Sequence, residues 1–392
     1  MPVDKKLYFD WAATAIPDQE ILSAALKKSL DAWANPSSVH AAGKEARAAL
    51  EEARAKCAAV LGVQAKQLFF TSGGTESDHI PLLAILNRPE KGNVAVSAIE
   101  HPALREMAEE LKKCGIEPRL IPADKNGFVT PEALLQTVDE KTLFVSVMAV
   151  NNETGAVQPI QKIAAALEEK YQGKRKPRFH VDCVQALGKI PVDFLSEPGV
   201  DSAAFSAHKI CGPRGIGLLY LKKEEEIFLR GGGQEGGVRS GTENLFGAIA
   251  FGECLKKYAF VSGKENPRLE EQKAWTADFI KGLLAIKGAA VIPESRGNPS
   301  QEGDSFSPWV VQASFQKIPG QVMLRALDAK GICVSTGSAC SSKKASRPIL
   351  EAMGVPAAQR ETSVRFSFGP ATTREGMEAL LAAVKEVCAA FN

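Results

Sequence analysis

The chain has 392 residues, 45% hydrophobic and 24% charged, a composition typical of a folded globular protein with about two domains. Its net charge of +2 comes from intermixed cations and carboxylates, so no charged patch favours nucleic acid or a membrane surface. No apolar run is long enough to span a bilayer, and none follows the first six residues as a secretory signal would require. We therefore expect a cytoplasmic protein. The eight cysteines form no Cys-x-x-Cys pair, so we expect no metal site.

Helical and strand-like segments alternate through the first half of the chain. The spacing of Ala46, Leu50, Ala53 and Cys57 predicts an amphipathic helix over residues 43–62. Short apolar runs predict strands at 67–70, 94–97, 143–148, 179–182, 203–206 and 217–221, with helices near 76–86, 103–114 and 160–171. This alternation predicts a mostly parallel sheet covered on both faces, which binds its ligands at the carboxyl ends of its strands.

The second half begins with a long helical region, predicted over residues 243–284. A Pro/Gly/Ser-rich connection at 293–308 precedes a smaller α+β unit. In this unit we predict strands at 310–315 and 332–335, a helix from Gly320 and a closing helix from Thr373. The predicted domains are therefore a large one at 12–255 and a small one at 256–392, completed by residues 1–11.

Two strand ends carry complementary chemistry. Lys209 follows the 203–206 strand directly before a Gly/Pro-rich turn, and Asp182 ends the 179–182 strand. A pyridoxal phosphate enzyme needs this pair, because the lysine forms a Schiff base with the cofactor and the aspartate keeps its ring nitrogen protonated. His180, two residues before Asp182, is interpreted as structural rather than catalytic.

Several further motifs each have two interpretations. Residues 71–77 open a helix with two glycines, which suits phosphate binding or a plain helix cap. His101 follows a strand and is either a cofactor-stacking proton shuttle or a loop histidine bonded to backbone. Residues 151–155 offer a side-chain amide to a cofactor oxygen or simply form a turn. Residues 239–244 suit a second phosphate contact or a helix cap with an exposed arginine.

Two residues in the C-terminal part of the sequence have unusual neighbours. Cys340 lies in a run of small residues, and Lys343 and Lys344 follow it. Nearby cations favour the thiolate, which is the nucleophilic form of cysteine. Arg365 lies between apolar neighbours on a predicted strand, a setting that requires an anionic partner such as a substrate carboxylate.

Taken together in their order along the chain, these motifs resemble those of the NifS-like cysteine desulfurases, which belong to the class V aminotransferase superfamily. The resemblance runs from residues 8–10 and 35–38 to 365–367. It implies the α/β fold of type I pyridoxal phosphate enzymes, in which a seven-stranded, mostly parallel sheet forms the large domain and an α+β unit forms the small one. It also implies a homodimer with active sites at the subunit interface. The implied activity converts L-cysteine to L-alanine and passes the sulfur to an acceptor such as an iron–sulfur scaffold protein.

The resemblance also implies residue roles. The catalytic residues would be Lys209, Cys340 as the persulfide-forming thiol, and His101, which also stacks on the cofactor ring. The cofactor-binding residues would be Gly74, Thr75, His101, Asn152, Asp182, Gln185, Ser206, His208, Lys209 and, from the other subunit, Thr242. The substrate carboxylate would bind to Asn35 and Arg365.

Some positions depart from the family pattern. Trp11 replaces a smaller or polar residue, Cys211 replaces an aromatic, and the segment 308–312, which contains Trp309, lacks a Pro-Asn pair. Three alternatives compete with the desulfurase. They are a selenocysteine lyase or other class V enzyme, a non-catalytic scaffold of the same fold, and a nucleotide-binding enzyme. Cys340 argues against a plain aminotransferase, the retained Lys209 and Asp182 argue against a scaffold, and no nucleotide fingerprint occurs.

Overall fold

A seven-stranded sheet organises the first part of the chain. The computed structural model describes residues 4–196, 198–260, 266–298, 305–337 and 347–391. The strands are β1 Leu68–Thr71, β2 Asn93–Ser97, β3 Glu117–Ile121, β4 Thr142–Ser146, β5 Arg178–Asp182, β6 Ser202–Ser206 and β7 Gly217–Leu221. Their order is β1-β7-β6-β5-β4-β2-β3. Only β7 runs antiparallel to its neighbours, so the predicted mostly parallel sheet is confirmed.

Helices cover this sheet on its faces. They are α1 Gln19–Asp31, α2 Ala41–Leu61, α3 Gly74–Leu83, α4 Pro102–Glu110, α5 Pro131–Thr137, α6 Ile160–Lys170 and α7 Leu245–Tyr258. The long helix α2 begins at the side chain of His40, whose Nδ1 accepts from the Gly43 N–H. It ends at Gly62, which adopts a φ of 68°. Its apolar stripe packs with α7 and β1 into the main hydrophobic core, as the spacing of that stripe predicted.

A second unit is built on a three-stranded antiparallel sheet, in the order β10-β9-β8. Its elements are α8 Pro267–Leu284, β8 Ala289–Ile292, β9 Val310–Phe315, α9 Gly320–Asp328, α10 Pro348–Ala352, α11 Ala357–Glu361, β10 Ser363–Ser367 and α12 Arg374–Phe391. Among the helices in the described ranges, none has the length and apolarity needed to cross a membrane.

In the second half of the chain, one predicted region is divided and one predicted strand is absent from the described residues. The helical region 243–284 is two helices, because α7 ends at Tyr258 and α8 begins anew at the Asn266 cap with Pro267 in its first turn. Residues 332–335 form no strand of their own. Cys333 and Ser335 make single bridges to Tyr8 and Arg365 instead.

The N-terminal segment joins the two units. The Phe9 N–H donates to the Cys333 carbonyl, and the Ser367 N–H donates to the Phe9 carbonyl. Phe9 therefore belongs to the hydrophobic core of the second unit. The chain also connects the two units after α7: Leu255 belongs to the hydrophobic core of the first unit, and Phe260 belongs to that of the second.

Candidate active site

The carboxyl ends of several strands of the large sheet surround one cavity of about 250 Å³. Ten of the predicted site residues line it: Gly74, Thr75, His101, Asn152, Asp182, Gln185, Ser206, His208, Lys209 and Arg365. Ala12, Ala13, Asp78, Met148 and Val184 complete the lining. Residues that lie far apart in the sequence therefore meet in one place, as parallel strand ends require.

The N-terminus of α3 forms one wall of the cavity. A Cβ atom on Gly74 would lie 2.7 Å from Cγ2 of Val184, so only glycine allows the helix to approach this closely. Glu76, in the first turn, accepts a hydrogen bond from the Ser72 N–H and pairs with Arg239 at 3.3 Å. Backbone N–H groups at this helix start suit a phosphate group.

Lys209 lies on a single 3-10 turn directly after β6. Its Nζ donates to the carbonyl oxygens of Ala12 at 2.6 Å and Ala13 at 2.7 Å. The neighbouring His208 places Nδ1 3.1 Å from Oγ1 of Thr14. Burial, and then the charge of Lys209, lower the pKa of His208 to about 4. Residues 12–14 thus hold both Lys209 and His208 in place.

Asp182 ends β5 and is only 4% exposed. Its Oδ1 accepts a hydrogen bond from the Val184 N–H at 2.8 Å. Burial, and then the negative charge of Asp78, raise the pKa of Asp182 to about 7. A positive charge at a cofactor ring nitrogen would offset this cost and keep the carboxylate ionised.

Sequence reasoning missed Asp78, which lines the cavity at 1% exposure. Its Oδ1 lies 3.1 Å from Nε2 of His180, and Nδ1 of His180 lies 2.8 Å from Oγ of Ser202. His180 is fully buried, which agrees with its interpretation as a structural residue. Asp78 was detectable in principle, because it is four residues after Gly74 and so lies on the same helix face.

Glu100 was also missed. It is fully buried beside the cavity, and its Oε1 accepts from Ser97 at 3.2 Å. Among the described residues, its Oε2 has no hydrogen-bond partner. Burial, and then the charge of Asp182, raise its pKa well above the usual range. Three buried carboxyl groups therefore lie in or beside the pocket, and this crowding favours protonation of some of them.

His101 caps the N-terminus of α4. Its Nδ1 accepts a hydrogen bond from the Ala103 N–H at 3.2 Å. Burial, and then the charges of Lys209 and Arg105, lower the pKa of His101 to about 4. The ring is therefore neutral at physiological pH and, because Nδ1 is an acceptor, carries its proton on Nε2.

Arg365 is 1% exposed on β10 and extends toward the large unit. Its Nη1 donates to the Asn152 carbonyl and its Nη2 to Oδ1 of Asp10, both at 2.9 Å. In the described part of the chain, Nε of Arg365 and Oδ1 of Asn152 are buried without a partner. A buried donor of this kind requires an acceptor, which a substrate carboxylate would supply.

Two predicted residues lie elsewhere, and a third falls outside the part of the chain that the structure describes. Asn35 is exposed in the loop before α2, where its Oδ1 accepts from the Ser37 N–H. Thr242 is exposed and does not line this cavity, so its predicted role in the other subunit's site stays a prediction. Cys340 lies outside the described residues.

The segment that leads to Thr242 is anchored by a buried ion pair. Arg54 of α2 contacts both carboxylate oxygens of Glu235 at 2.7 Å. Glu235 also accepts from the Phe70 N–H in β1. Arg239, three residues before Thr242, pairs with Glu76 at the start of α3. The glycine-rich segment is thus fixed against the wall of the cavity that the start of α3 forms.

Comparison with known proteins agrees with this geometry. A family model described as aminotransferase class-V matches residues 7–380. The chain is 34% identical to a cysteine desulfurase IscS of Dictyoglomus turgidum over 388 residues, which cover 98% of this chain and 94% of the relative. It is also 34% identical to a cysteine desulfurase IscS of Methanosarcina thermophila, across 98% of this chain and 92% of that one.

The chain is also similar to solved structures over nearly its whole length. A NifS-like protein superposes with a TM-score of 0.86 at 32% identity, covering 98% of this chain and 99% of its own. The structure of SspA in complex with cysteine superposes with a TM-score of 0.77 at 25% identity, over 93% and 99% of the two chains. The family match extends over nearly the whole sequence and includes every strand end around the cavity. The chain belongs to the aminotransferase class-V family.

Proposed function

We propose that this protein is a pyridoxal phosphate-dependent cysteine desulfurase. It would convert L-cysteine to L-alanine and carry the sulfur as a persulfide on Cys340. The observation that carries the proposal is the convergence of Lys209, Asp182 and Arg365 on one cavity. The cysteine desulfurases to which the chain is 34% identical over nearly its full length support it.

The residues around the cavity fit pyridoxal phosphate. Gly74 keeps the start of α3 free of side-chain atoms, which suits a phosphate. Asp182 offers a buried carboxyl whose ionised form requires a nearby positive charge, as a protonated ring nitrogen would provide. Lys209 lines the same cavity. Ser206, His208 and Thr75 would complete the contacts with the phosphate group. Gln185 and Asn152 would contact the oxygen of the cofactor ring.

When bound, the cofactor would withdraw electrons from the substrate α-carbon and so weaken its C–H bond. Lys209 would accept the α-proton at Nζ and return it later. Asp182 would hold the proton on the ring nitrogen, and His101 would cover the ring face and donate from Nε2 toward the substrate sulfur. The low pKa of His101 keeps its ring neutral, so the donation from Nε2 is a hydrogen bond and not the release of an extra proton.

Arg365 would orient the substrate through its carboxylate. The Asn152 and Asp10 bonds hold the guanidinium rigidly, and Nε stays available as a donor. Asn35 and Thr242 are proposed to act with these residues in a homodimer. The persulfide on Cys340 would then pass to an acceptor protein such as an iron–sulfur scaffold.

The proposed activity is tested by turnover of L-cysteine. Protein supplied with pyridoxal phosphate should form alanine in amounts that match the sulfide released with a thiol reductant. After brief exposure to L-cysteine, the Cys340 peptide should carry an adduct of about 32 Da, as expected for a persulfide. Cys340→Ser should lose both the adduct and most of the alanine.

Cys333→Ser is the matched control, because Cys333 lies seven positions earlier and is only partly exposed. It should keep most of the activity. Full turnover in Cys340→Ser, an adduct confined to Cys333, or turnover of selenocysteine without turnover of cysteine would contradict the proposal.

A further inference from the structure

One proposed cofactor contact depends on the orientation of a side-chain amide. Gln185 lines the active-site cavity and is buried. Its proposed partner is the oxygen of the cofactor ring, which accepts hydrogen bonds. An amide carries an acceptor oxygen at one end and an NH₂ donor group of nearly the same size at the other. Only the donor end suits this contact, so the amide must be held with its nitrogen available to the cavity.

Two neighbours hold this amide, one at each end. Nε2 of Gln185 donates to the carbonyl oxygen of Ala12 at 2.9 Å, and Oε1 accepts a hydrogen bond from Nζ of Lys189. A carbonyl can only accept, and the amine donates here, so both bonds favour the same orientation of the amide. Nε2 carries two hydrogens, and the bond to Ala12 uses one of them. The other hydrogen can therefore serve an acceptor bound in the cavity.

The burial of Lys189 is unusual for a lysine, since the residue is only 5% exposed. Burial, and then the charge of Lys209, lower the pKa of Lys189 well below its usual range. A neutral amine still has N–H groups to donate, so the bond to Gln185 does not require a charge. Across the residues that the structure describes, Oε1 of Gln185 is the acceptor of this amine. Because burying a polar group costs free energy, an amine with this partner is expected where the position of the partner matters.

The main chain of Lys189 is fixed as well. Its carbonyl oxygen accepts from Nε1 of Trp309 at 2.9 Å, and its N–H donates to the carbonyl oxygen of Ala186 at 2.9 Å. The Trp309 indole is buried and stacks on Phe260, with 6.1 Å between the ring centroids. Trp309 lies in the segment 308–312, where the chain departs from the family pattern. The small unit thus supports Lys189, and Lys189 supports an amide of the large unit.

We propose that Lys189 is a positioning residue, which holds Oε1 of Gln185 so that Nε2 can donate to the ring oxygen of pyridoxal phosphate. The inference rests on the proposed function, because it concerns the cofactor of that site. Lys189 acts through Gln185 and needs no contact of its own with cofactor or substrate. Without the amine, Oε1 becomes a buried acceptor that lacks this donor, and the amide shifts to find another one. The hydrogen bond to the ring oxygen is then weakened.

The test measures the bound cofactor rather than turnover. Cofactor-free protein is titrated with pyridoxal phosphate, fluorescence gives the Kd, and the absorption maximum of the bound cofactor is recorded in the same samples. Lys189→Met removes the donor but keeps an unbranched side chain. It should raise the Kd about tenfold, as expected for the loss of one buried hydrogen bond. It should also shift the absorption maximum, because a hydrogen bond to the ring oxygen changes the electron distribution of the ring. Gln185→Ala should shift the maximum in the same direction.

A double variant tests whether Lys189 acts through Gln185. In the Gln185→Ala background, Lys189→Met should change neither the Kd nor the absorption maximum further, because the two residues form one interaction. A lysine that only supports the fold would weaken binding by the same factor in both backgrounds. Lys176→Met is the matched control, since Lys176 is also mostly buried but pairs with Glu168 and Asp201 and does not line the cavity. It should keep the wild-type Kd and spectrum. Circular dichroism verifies folding, and Lys189→Leu replaces Lys189→Met if the latter does not fold.

The proposal is overturned if Lys189→Met keeps the wild-type absorption maximum, whether or not its Kd changes. It is also overturned if Lys189→Met has the same effect with and without Gln185. A wild-type protein that binds no pyridoxal phosphate would overturn the proposed function as well, so the two failures are distinguishable.

Discussion

Lys209 and Gln185 donate hydrogen bonds to the same acceptor, the carbonyl oxygen of Ala12, at 2.6 and 2.9 Å. The Ala12 N–H in turn donates to Oγ of Ser367 in the small sheet at 2.9 Å. The amide of Gln185 is fixed from its other side by Lys189. One residue of the N-terminal segment thus links the active-site lysine of the large unit to the small sheet.

This arrangement predicts that Lys209 is the residue that holds the cofactor. Protein incubated with pyridoxal phosphate and reduced with borohydride should carry the cofactor covalently on the Lys209 peptide, as peptide mass spectrometry would show. Lys209→Ala should lose this label. Lys189 is a second buried lysine nearby and serves as the internal control. Label on Lys189, or on no lysine, would refute the assignment.

Asp182 should destabilise the cofactor-free protein at alkaline pH. The folded protein retains its proton up to a pKa of about 7, whereas the unfolded chain releases it near 3.8. The free energy of unfolding therefore falls as pH rises through this interval, at roughly 1.4 kcal/mol per pKa unit. Asparagine cannot ionise, so Asp182→Asn avoids this loss of stability. At pH 8 the variant should therefore be more stable than the wild type by about a few kcal/mol. This difference should vanish as pH falls toward 4.

Urea unfolding at pH 8 and pH 5 measures this difference. The same variant, loaded with cofactor, should exchange the α-proton of cysteine more slowly by orders of magnitude, because a buried charge pair is lost. A wild-type protein that is more stable than Asp182→Asn at pH 8, or near-normal exchange in the variant, would remove the role assigned to this carboxyl.

Arg365 should determine the affinity for the substrate carboxylate. Lysine keeps the charge but cannot bond Asn152 and Asp10 and also reach the substrate, since it lacks the planar fork. Arg365→Lys should raise KM for L-cysteine by about 10- to 100-fold, the effect of losing one charged hydrogen bond. Steady-state kinetics would measure this, with kcat changing less than KM. Unchanged KM would show that the carboxylate binds elsewhere.

Gly74 should be required for cofactor affinity for a steric reason. In Gly74→Ala, the new methyl group would lie 2.7 Å from Cγ2 of Val184 and push α3 away from the cavity. We expect weaker binding of pyridoxal phosphate, measured by fluorescence titration. Adding Val184→Ala removes the opposing atom and should restore most of the affinity. If the double variant binds no better than Gly74→Ala, steric contact is not the reason.

Much of the fold followed from sequence periodicity. The strand predicted at 310–315 matches β9 Val310–Phe315, in which all six residues are buried and four are apolar, although Gln312 and Ser314 interrupt the apolar run. The edge strand β3 Glu117–Ile121 was missed. Only Ile121 is buried, and Pro118 and Arg119 interrupt the apolar pattern. β8 Ala289–Ile292 was also missed; it is entirely apolar, but it has only four residues and its first two are only partly buried.

The sequence alone determined the class of site, because Lys209 and Asp182 each follow an apolar strand and parallel strands align their carboxyl ends. Tertiary structure decided the contacts that lack a local pattern. The shared Ala12 carbonyl and the Asp78–His180 pair each join distant segments of the chain. The spacing of residues fixes which face of an element they occupy. Only the packing of one element against another fixes which polar groups meet.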